Sequence, residues 1–144
     1  MSILVIDVGT SGLRAAVVDG DARIVHEEHQ ELLPDSPMAG LVEFDAARMA
    51  EVALAVSRRV LAAAGPVDAV GITTQRASTV VWDRATGEPI APAIGWQDLR
   101  TVGECLALRE QGLRLAPNVS ATKLANILDL HDPDRTRDLC FGTP

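Results

Sequence analysis

The stretch that most constrains the fold is the first, Ile3-Leu4-Val5-Ile6-Asp7-Val8-Gly9-Thr10-Ser11-Gly12-Leu13-Arg14-Ala15-Ala16-Val17-Val18-Asp19. Four apolar residues run into an acid and a Gly-Thr-Ser-Gly turn, and a second apolar run leaves the turn with Arg14 near its start. That order predicts strand, turn, strand, with polar chemistry at the bend. Gly9, Thr10, Ser11 and Gly12 would aim backbone N–H groups and two hydroxyls at one place, a concavity that suits an anion. Asp7 ends the expected buried strand, where a carboxylate is costly unless it is paired or faces a cation. Hydrated magnesium would serve, since Mg²⁺ takes one or two carboxylates with waters and phosphate oxygens. A plain hairpin whose Asp7 accepts hydrogen bonds from the turn stays open beside this reading. A P-loop is excluded: no Gly-Lys-Ser/Thr follows, and neither does a helix.

With 144 residues, 47% hydrophobic, the chain has single-domain length and enough apolar surface for a core. Aromatics are only 3% and Tyr is absent, so Val, Leu, Ile and Ala must build that core. A formal charge of -7 without a Lys/Arg cluster argues against nucleic acid as partner and leaves a small molecule as the expected one. Cys105 and Cys140 are too few and too far apart for a disulfide framework, which fits a reduced, cytoplasmic protein. No signal segment opens the chain and no apolar run approaches bilayer length, so no membrane is expected. The sequon Asn118-Val119-Ser120 is a chance match in that setting, and His26, His29 and His131 form no metal-ligand pattern.

Asp19-Gly20-Asp21 predicts a turn into a third strand, Ala22 to Gln30, completing a meander. A Pro- and Gly-containing surface loop covers Leu33 to Glu43. Asp45 then caps a helix from Ala46 to about Ala64, with Met49, Val52, Val56 and Val60 on one face, Arg58 and Arg59 near its end and Gly65-Pro66 as its stop. Val67 to Thr74 reads as a buried strand, Thr79 to Trp82 as a further apolar run, Asp83 to Pro89 as a turn and Ile90 to Trp96 as extended. Thr101 and Glu104 form a capping box for a helix ending at Gly112. Ser120 caps another, with Leu124, Ile127 and Leu128 inward and Asp132-Pro133 at its end. Leu139-Cys140-Phe141 is a last short strand. This order predicts an α/β domain of the ribonuclease H-like kind, a mixed sheet of about five strands with flanking helices.

Several stretches, in order, resemble the FGGY family of carbohydrate kinases, in the actin and sugar-kinase superfamily. Asp7-Val8-Gly9-Thr10-Ser11-Gly12-Leu13-Arg14 is similar to the family's first phosphate motif, and Gly40-Leu41-Val42-Glu43-Phe44-Asp45 to the loop entering its first helix. Gly71-Ile72-Thr73-Thr74-Gln75-Arg76, then Val80-Val81-Trp82-Asp83 with Thr86, Gly87 and Pro89, resembles the glycerol kinase branch. Ala93-Ile94-Gly95-Trp96-Gln97-Asp98-Leu99-Arg100-Thr101 and Ser120-Ala121-Thr122-Lys123-Leu124 continue the likeness.

The resemblance implies ATP- and Mg²⁺-dependent phosphoryl transfer to a hydroxyl of a small polyol or sugar. Gly9, Thr10, Ser11 and Gly12 would hold phosphate, Arg14 would contact the nucleotide phosphates, and Asp7 would orient magnesium through water. Gln75, Arg76, Ala77, Trp96, Asp98 and Asn118 would form the substrate side, Arg76 reaching hydroxyls as a planar fork of donors and Trp96 walling the pocket. Two positions depart from the glycerol pattern: Ala77 stands where a glycerol-binding glutamate is usual, and Asn118 where a tyrosine is. A different or larger alcohol is therefore expected, because each buried hydroxyl needs its own partner. The family's catalytic base is an aspartate of a second domain, so no catalytic residue is expected in 1–144. The chain reads as a truncated N-terminal, actin-like ATPase domain whose partner is the missing C-terminal kinase domain, with homo-oligomerisation left open. The competing class is a non-catalytic nucleotide- or protein-binding domain on the same scaffold.

Overall fold

Alternation along the first hairpin places Leu4, Val8, Leu13, Ala15 and Val17 on one face, and all five are buried. The computed structural model describes every residue from Met1 to Pro144. β1 (Ile3–Val8) pairs antiparallel with β2 (Gly12–Val18), which pairs antiparallel with β3 (Ile24–Glu31). The third strand starts later than the apolar pattern suggested, because Ala22 adopts φ 61 inside a turn pinned by Asp19 Oδ1, which accepts from the N–H groups of Asp21 and Arg23, each at 2.9 Å. Two further strands follow, β4 (Glu43–Phe44) and, beyond the first helix, β5 (Ala69–Thr74); β5 runs parallel to β1 and completes a four-stranded mixed sheet in the order β3-β2-β1-β5.

The chain divides into two compact units, Met1–Leu33 with Arg48–Gln75, and Pro34–Ala47 with Arg76–Pro144. In the first, α1 (Ala46–Ala64) buries Met49, Val52, Val56, Ser57 and Val60. Its Arg59 identifies the sheet face it covers: Nε donates to Glu28 Oε2 at 2.5 Å and Nη2 to Gln30 Oε1 at 3.3 Å. In register those residues stand opposite Ala15 and Leu13, so the helix lies on the buried apolar face of the meander. Arg59 is thus tied to β3 instead of serving the helix C-terminus, and the last turn of α1 carries no basic residue. The stop signal is realised: Gly65 takes φ +88 and donates its N–H to Leu61 O at 2.9 Å. One expectation is overturned, for β5 is not buried. It is an edge strand with a single partner, and Val70 and Ile72 are 57% and 67% exposed.

The second unit holds short ribbons and two helices. After β6 (Val80–Asp83), β7 (Ala93–Ile94) pairs with β4, so the extended run expected from Ile90 to Trp96 contracts to two paired residues. α2 (Val102–Glu110) and α3 (Ser120–His131) follow, and β8 (Leu139–Gly142) closes an antiparallel ribbon with β6. Val81, Ile94 and Ile127 form the core here, with Ile90, Leu124, Leu128 and Leu139 against it. Gly142 packs closely on the Trp82 ring, which stands 3.2 Å from where a Cβ would lie. α2 starts behind Thr101 as expected and α3 one residue earlier than expected, and neither expected cap bond forms. Thr101 makes no capping bond; its hydroxyl is bonded instead to that of Thr122 at 2.9 Å, both groups being buried. Ser120 is already helical, behind an extended Val119, and its hydroxyl donates to Ala77 O at 3.3 Å. In both cases the hydroxyl is turned to a tertiary partner and away from the first N–H groups of its helix. The mixed α/β class is as expected, with a four-stranded sheet and two two-stranded ribbons in place of one larger sheet. No helix is long and apolar enough to cross a membrane.

Candidate functional site

In the first unit the bend between β1 and β2 is closed by Gly9 N–H donating to Gly12 O at 2.9 Å. It is braced from both sides: Leu32 N–H donates to Ser11 O at 3.1 Å, and Gln75 donates its backbone N–H to Val8 O at 3.0 Å and its side-chain amide to Gly9 O at 3.4 Å. Gln75 therefore belongs to the support of this turn. Gly12 is buried, and a Cβ there would lie 2.5 Å from Gln30 O and 2.6 Å from His29 Nε2, so close packing against β3 already demands glycine. Thr10 is half-buried, while the Ser11 hydroxyl is exposed and makes no bond within the chain.

Asp7 and Arg14 are directly opposed in the β1–β2 register, on the sheet face turned away from α1. Asp7 is exposed, contrary to the expectation of a buried strand end, because nothing in the unit covers that end of the face. Neither the carboxylate nor the guanidinium has a hydrogen bond or ion pair. A cation and an anion thus stand directly opposed at the bend, neither paired within the chain. The donor set fits a metal-bound phosphate: two hard carboxylate oxygens for hydrated Mg²⁺ and a guanidinium fork with a hydroxyl for phosphate oxygens.

The second unit presents the other candidates as exposed tips on buried anchors. Arg76 is exposed and its guanidinium has no partner in the chain. Ala77 takes the left-handed conformation, φ 66, uncommon for a residue with a Cβ. Trp96 is 40% exposed and its backbone N–H donates to Ser78 Oγ at 3.1 Å, with Ser78 itself fully buried. Asn118 is exposed with its side chain unbonded. Asp98 differs from these. It is fully buried and its oxygens are taken up internally: Oδ1 by Arg100 N–H at 2.9 Å and Nε at 2.8 Å, Oδ2 by Arg100 Nη2 at 2.8 Å and Val42 N–H at 2.6 Å. Burial pushes this carboxyl up, but the Arg100 side chain, the two backbone N–H groups and the guanidinium charge together hold it below the ordinary carboxylate value. Arg100 also donates to Glu43 Oε1 at 2.7 Å. Asp98 is placed to hold the loop rather than to meet a ligand.

These bonds join two stretches distant in sequence. Gly95 N–H donates to Val42 O and Leu99 N–H to Gly40 O, both at 2.8 Å, and the Gly95 Cα lies so close to Val42 that a Cβ would come within 2.8 Å of Cγ1. Residues 40–45 are thereby zipped to residues 95–100. Sequence reasoning gave no role to Glu43, Arg100 or Lys123, which the structure makes the fasteners of this unit. For Lys123 the available signal was a lone cation between Thr122 and Leu124 on the inner side of α3.

The description "FGGY family of carbohydrate kinases, N-terminal domain" fits residues 2–130. The chain belongs to that family. Among curated relatives, the glycerol kinase of Methylibium petroleiphilum is 42% identical over 98% of this chain and 32% of its own length. The glycerol kinase of Rhodospirillum rubrum is 39% identical over 98% and 32%. Two solved structures share the fold: Plasmodium falciparum glycerol kinase with ADP, TM-score 0.84 at 23% identity, covering 98% of this chain and 32% of that one, and xylulose kinase from Rhodospirillum rubrum, TM-score 0.82 at 22% identity, covering 93% and 30%. The chain thus spans about a third, 32%, of the length of the first curated relatives it matches.

Proposed function

We propose that this chain is the N-terminal part of an ATP-dependent carbohydrate kinase that phosphorylates a hydroxyl of a small polyol or sugar. The observation that carries the reading is the pair Asp7 and Arg14, exposed, unpaired and directly opposed at the Gly9–Gly12 bend, in a chain of this family. Arg14, Ser11 and the turn would hold phosphate oxygens of the nucleotide; Asp7 would orient hydrated magnesium. Bound Mg²⁺ with ATP supplies the transferable phosphoryl group and neutralises charge on it, so positioning and electrostatics are what the protein must add. Arg76, Asn118 and the Trp96 ring would hold and wall the alcohol. The base that takes the hydroxyl proton, the adenosine pocket and a second phosphate loop would come from a C-terminal domain. Ala77 and Asn118 leave no carboxylate and no phenol at their positions, which favours an alcohol other than glycerol or a differently held one. The ribonuclease H-like ancestry of the sheet, magnesium as the metal and a cytoplasmic location belong to the same proposal.

The test is a panel of polyols and ketoses assayed for ATP-dependent phosphate-ester formation with the full-length protein. Phosphorylation of at least one member is expected, with glycerol not the best. Absence of transfer to every member, with ATP bound, would overturn the proposal in favour of a non-catalytic binding domain.

A further inference from the structure

Lys123 heads the fully buried side chains, at 0% exposure, and nothing in the phosphate or alcohol chemistry above uses it. Its ammonium donates to three backbone carbonyls: Ala77 O at 2.6 Å, Asn118 O at 3.1 Å and Gly95 O at 3.2 Å. The three acceptors lie in three separate segments of the second unit. Each segment carries one substrate-side candidate: Arg76 adjoins Ala77, Trp96 adjoins Gly95, and Asn118 is itself the third.

The chemistry of the site is specific to a primary ammonium. Three N–H groups meet three acceptors, and a neutral amine would have to turn its lone pair towards a carbonyl. No carboxylate stands within ion-pair distance, so the charge is balanced by peptide dipoles and by Asp98 acting through space. Burial pulls the Lys123 pKa below its ordinary value, and the Asp98 charge opposes that. A buried charge costs stability unless every donor is satisfied, and here every donor is. The tightest bond falls on the peptide of Ala77, the residue at φ 66, whose carbonyl also accepts from Ser120 Oγ at 3.3 Å. The unfavourable backbone at that position is therefore held from α3, by two side chains three residues apart.

We infer that Lys123 is a positioning residue for the substrate: its ammonium clamps the loops bearing Arg76, Trp96 and Asn118 into one geometry without touching the alcohol. The inference rests on reading those loops as the alcohol side. A fastener that merely stabilised the fold would move the melting temperature and leave the loops' relative order and the alcohol affinity alone. A clamp moves both, because a misplacement of even an ångström at a bound group weakens binding of the reacting pair.

The test compares Lys123→Met, similar in volume but uncharged, with wild type in the full-length protein. The Michaelis constant for the best polyol is expected to rise about tenfold or more, with that for ATP nearly unchanged. Amide hydrogen exchange is expected to quicken together in residues 76–78, 95–98 and 116–119, and not in the β1–β2 hairpin. An unchanged polyol constant, or exchange that quickens evenly over the whole chain, would overturn the inference. If the wild type phosphorylates no polyol, the functional proposal fails by itself, and exchange alone judges the clamp: unaltered protection in the three loops rejects it. Should Lys123→Met not fold, Lys123→Arg serves, since a rigid planar fork cannot close on three converging carbonyls. The same rise in the polyol constant and the same three-loop exchange are expected there, and wild-type values in both would reject the clamp.

Discussion

Arg76 and Arg14 have the same chemistry in this structure, exposed guanidiniums with no partner in the chain, and each would find its work only with a ligand bound. Truncating Arg76 to alanine should remove a charge-assisted hydrogen bond of about 1.5–3 kcal/mol, which is about 10- to 150-fold in kcat/KM for the polyol. Steady-state kinetics on the full-length protein checks this, and wild-type turnover would remove Arg76 from the alcohol site. Asp7→Asn keeps the shape and loses the charge, so the magnesium concentration for half-maximal turnover should rise; a titration that superimposes on wild type would reject the metal role. Gly12 answers to a different cause. An added Cβ would meet the backbone of β3 at Gln30, which cannot swing aside, so Gly12→Ala should cost about 1–3 kcal/mol in denaturant unfolding, whatever its effect on phosphate.

At the scale of elements, the segment 95–100 lies beyond the two-residue pairing of β4 with β7 and is held by Asp98 together with the Gly95 and Leu99 N–H groups. The pH dependence has a definite sign. With its folded pKa depressed below the ordinary 3.8, Asp98 stabilises the protein above that value and withdraws its contribution as pH falls through the folded one. Asp98→Asn should therefore cost about 3 kcal/mol near neutral pH, because it strips a buried partner from Arg100, and should flatten the acid limb of a plot of stability against pH. Urea unfolding of both proteins between pH 2 and 7 is the measurement; parallel curves would show that Asp98 is not the titrating group, leaving the half-buried carboxyls of Glu28 and Asp83, also held below their ordinary values, by Arg59 and by the Thr86 N–H respectively.

For the whole molecule, the family and the two units set one expectation, that the alcohol stabilises what binds it. A polyol accepted as substrate should raise the melting temperature of the full-length protein, by about 2.7 kcal/mol of stability at a hundred times its dissociation constant, and a rejected one should not. Thermal shifts across the polyol panel should rank as turnover does; a shift from every polyol alike would mean a solvent effect instead of binding.

The amino-acid sequence alone determined a good deal. Period-2 alternation and the Gly-Thr-Ser-Gly bend determined the meander, and the stripe Met49, Val52, Val56, Val60 with Gly65-Pro66 determined α1, because local periodicity and backbone stops act within a few residues of themselves. The candidates Asp7, Arg14, Arg76, Trp96 and Asn118 could also be picked out there, since they sit in ordered motifs, although the exposure of Asp7 could not. Tertiary structure alone decided what holds them. That Thr101 would bond Thr122, that Asp98 would turn inward to Arg100 and Val42, and that Lys123 would bury its charge on three carbonyls depends on partners 21, 56 and up to 46 residues away. No local pattern carries such information, because a buried polar group is satisfied by whatever the fold brings beside it. β5 shows the same in reverse: its apolar run looks like core, and only its place at the sheet edge leaves Val70 and Ile72 uncovered.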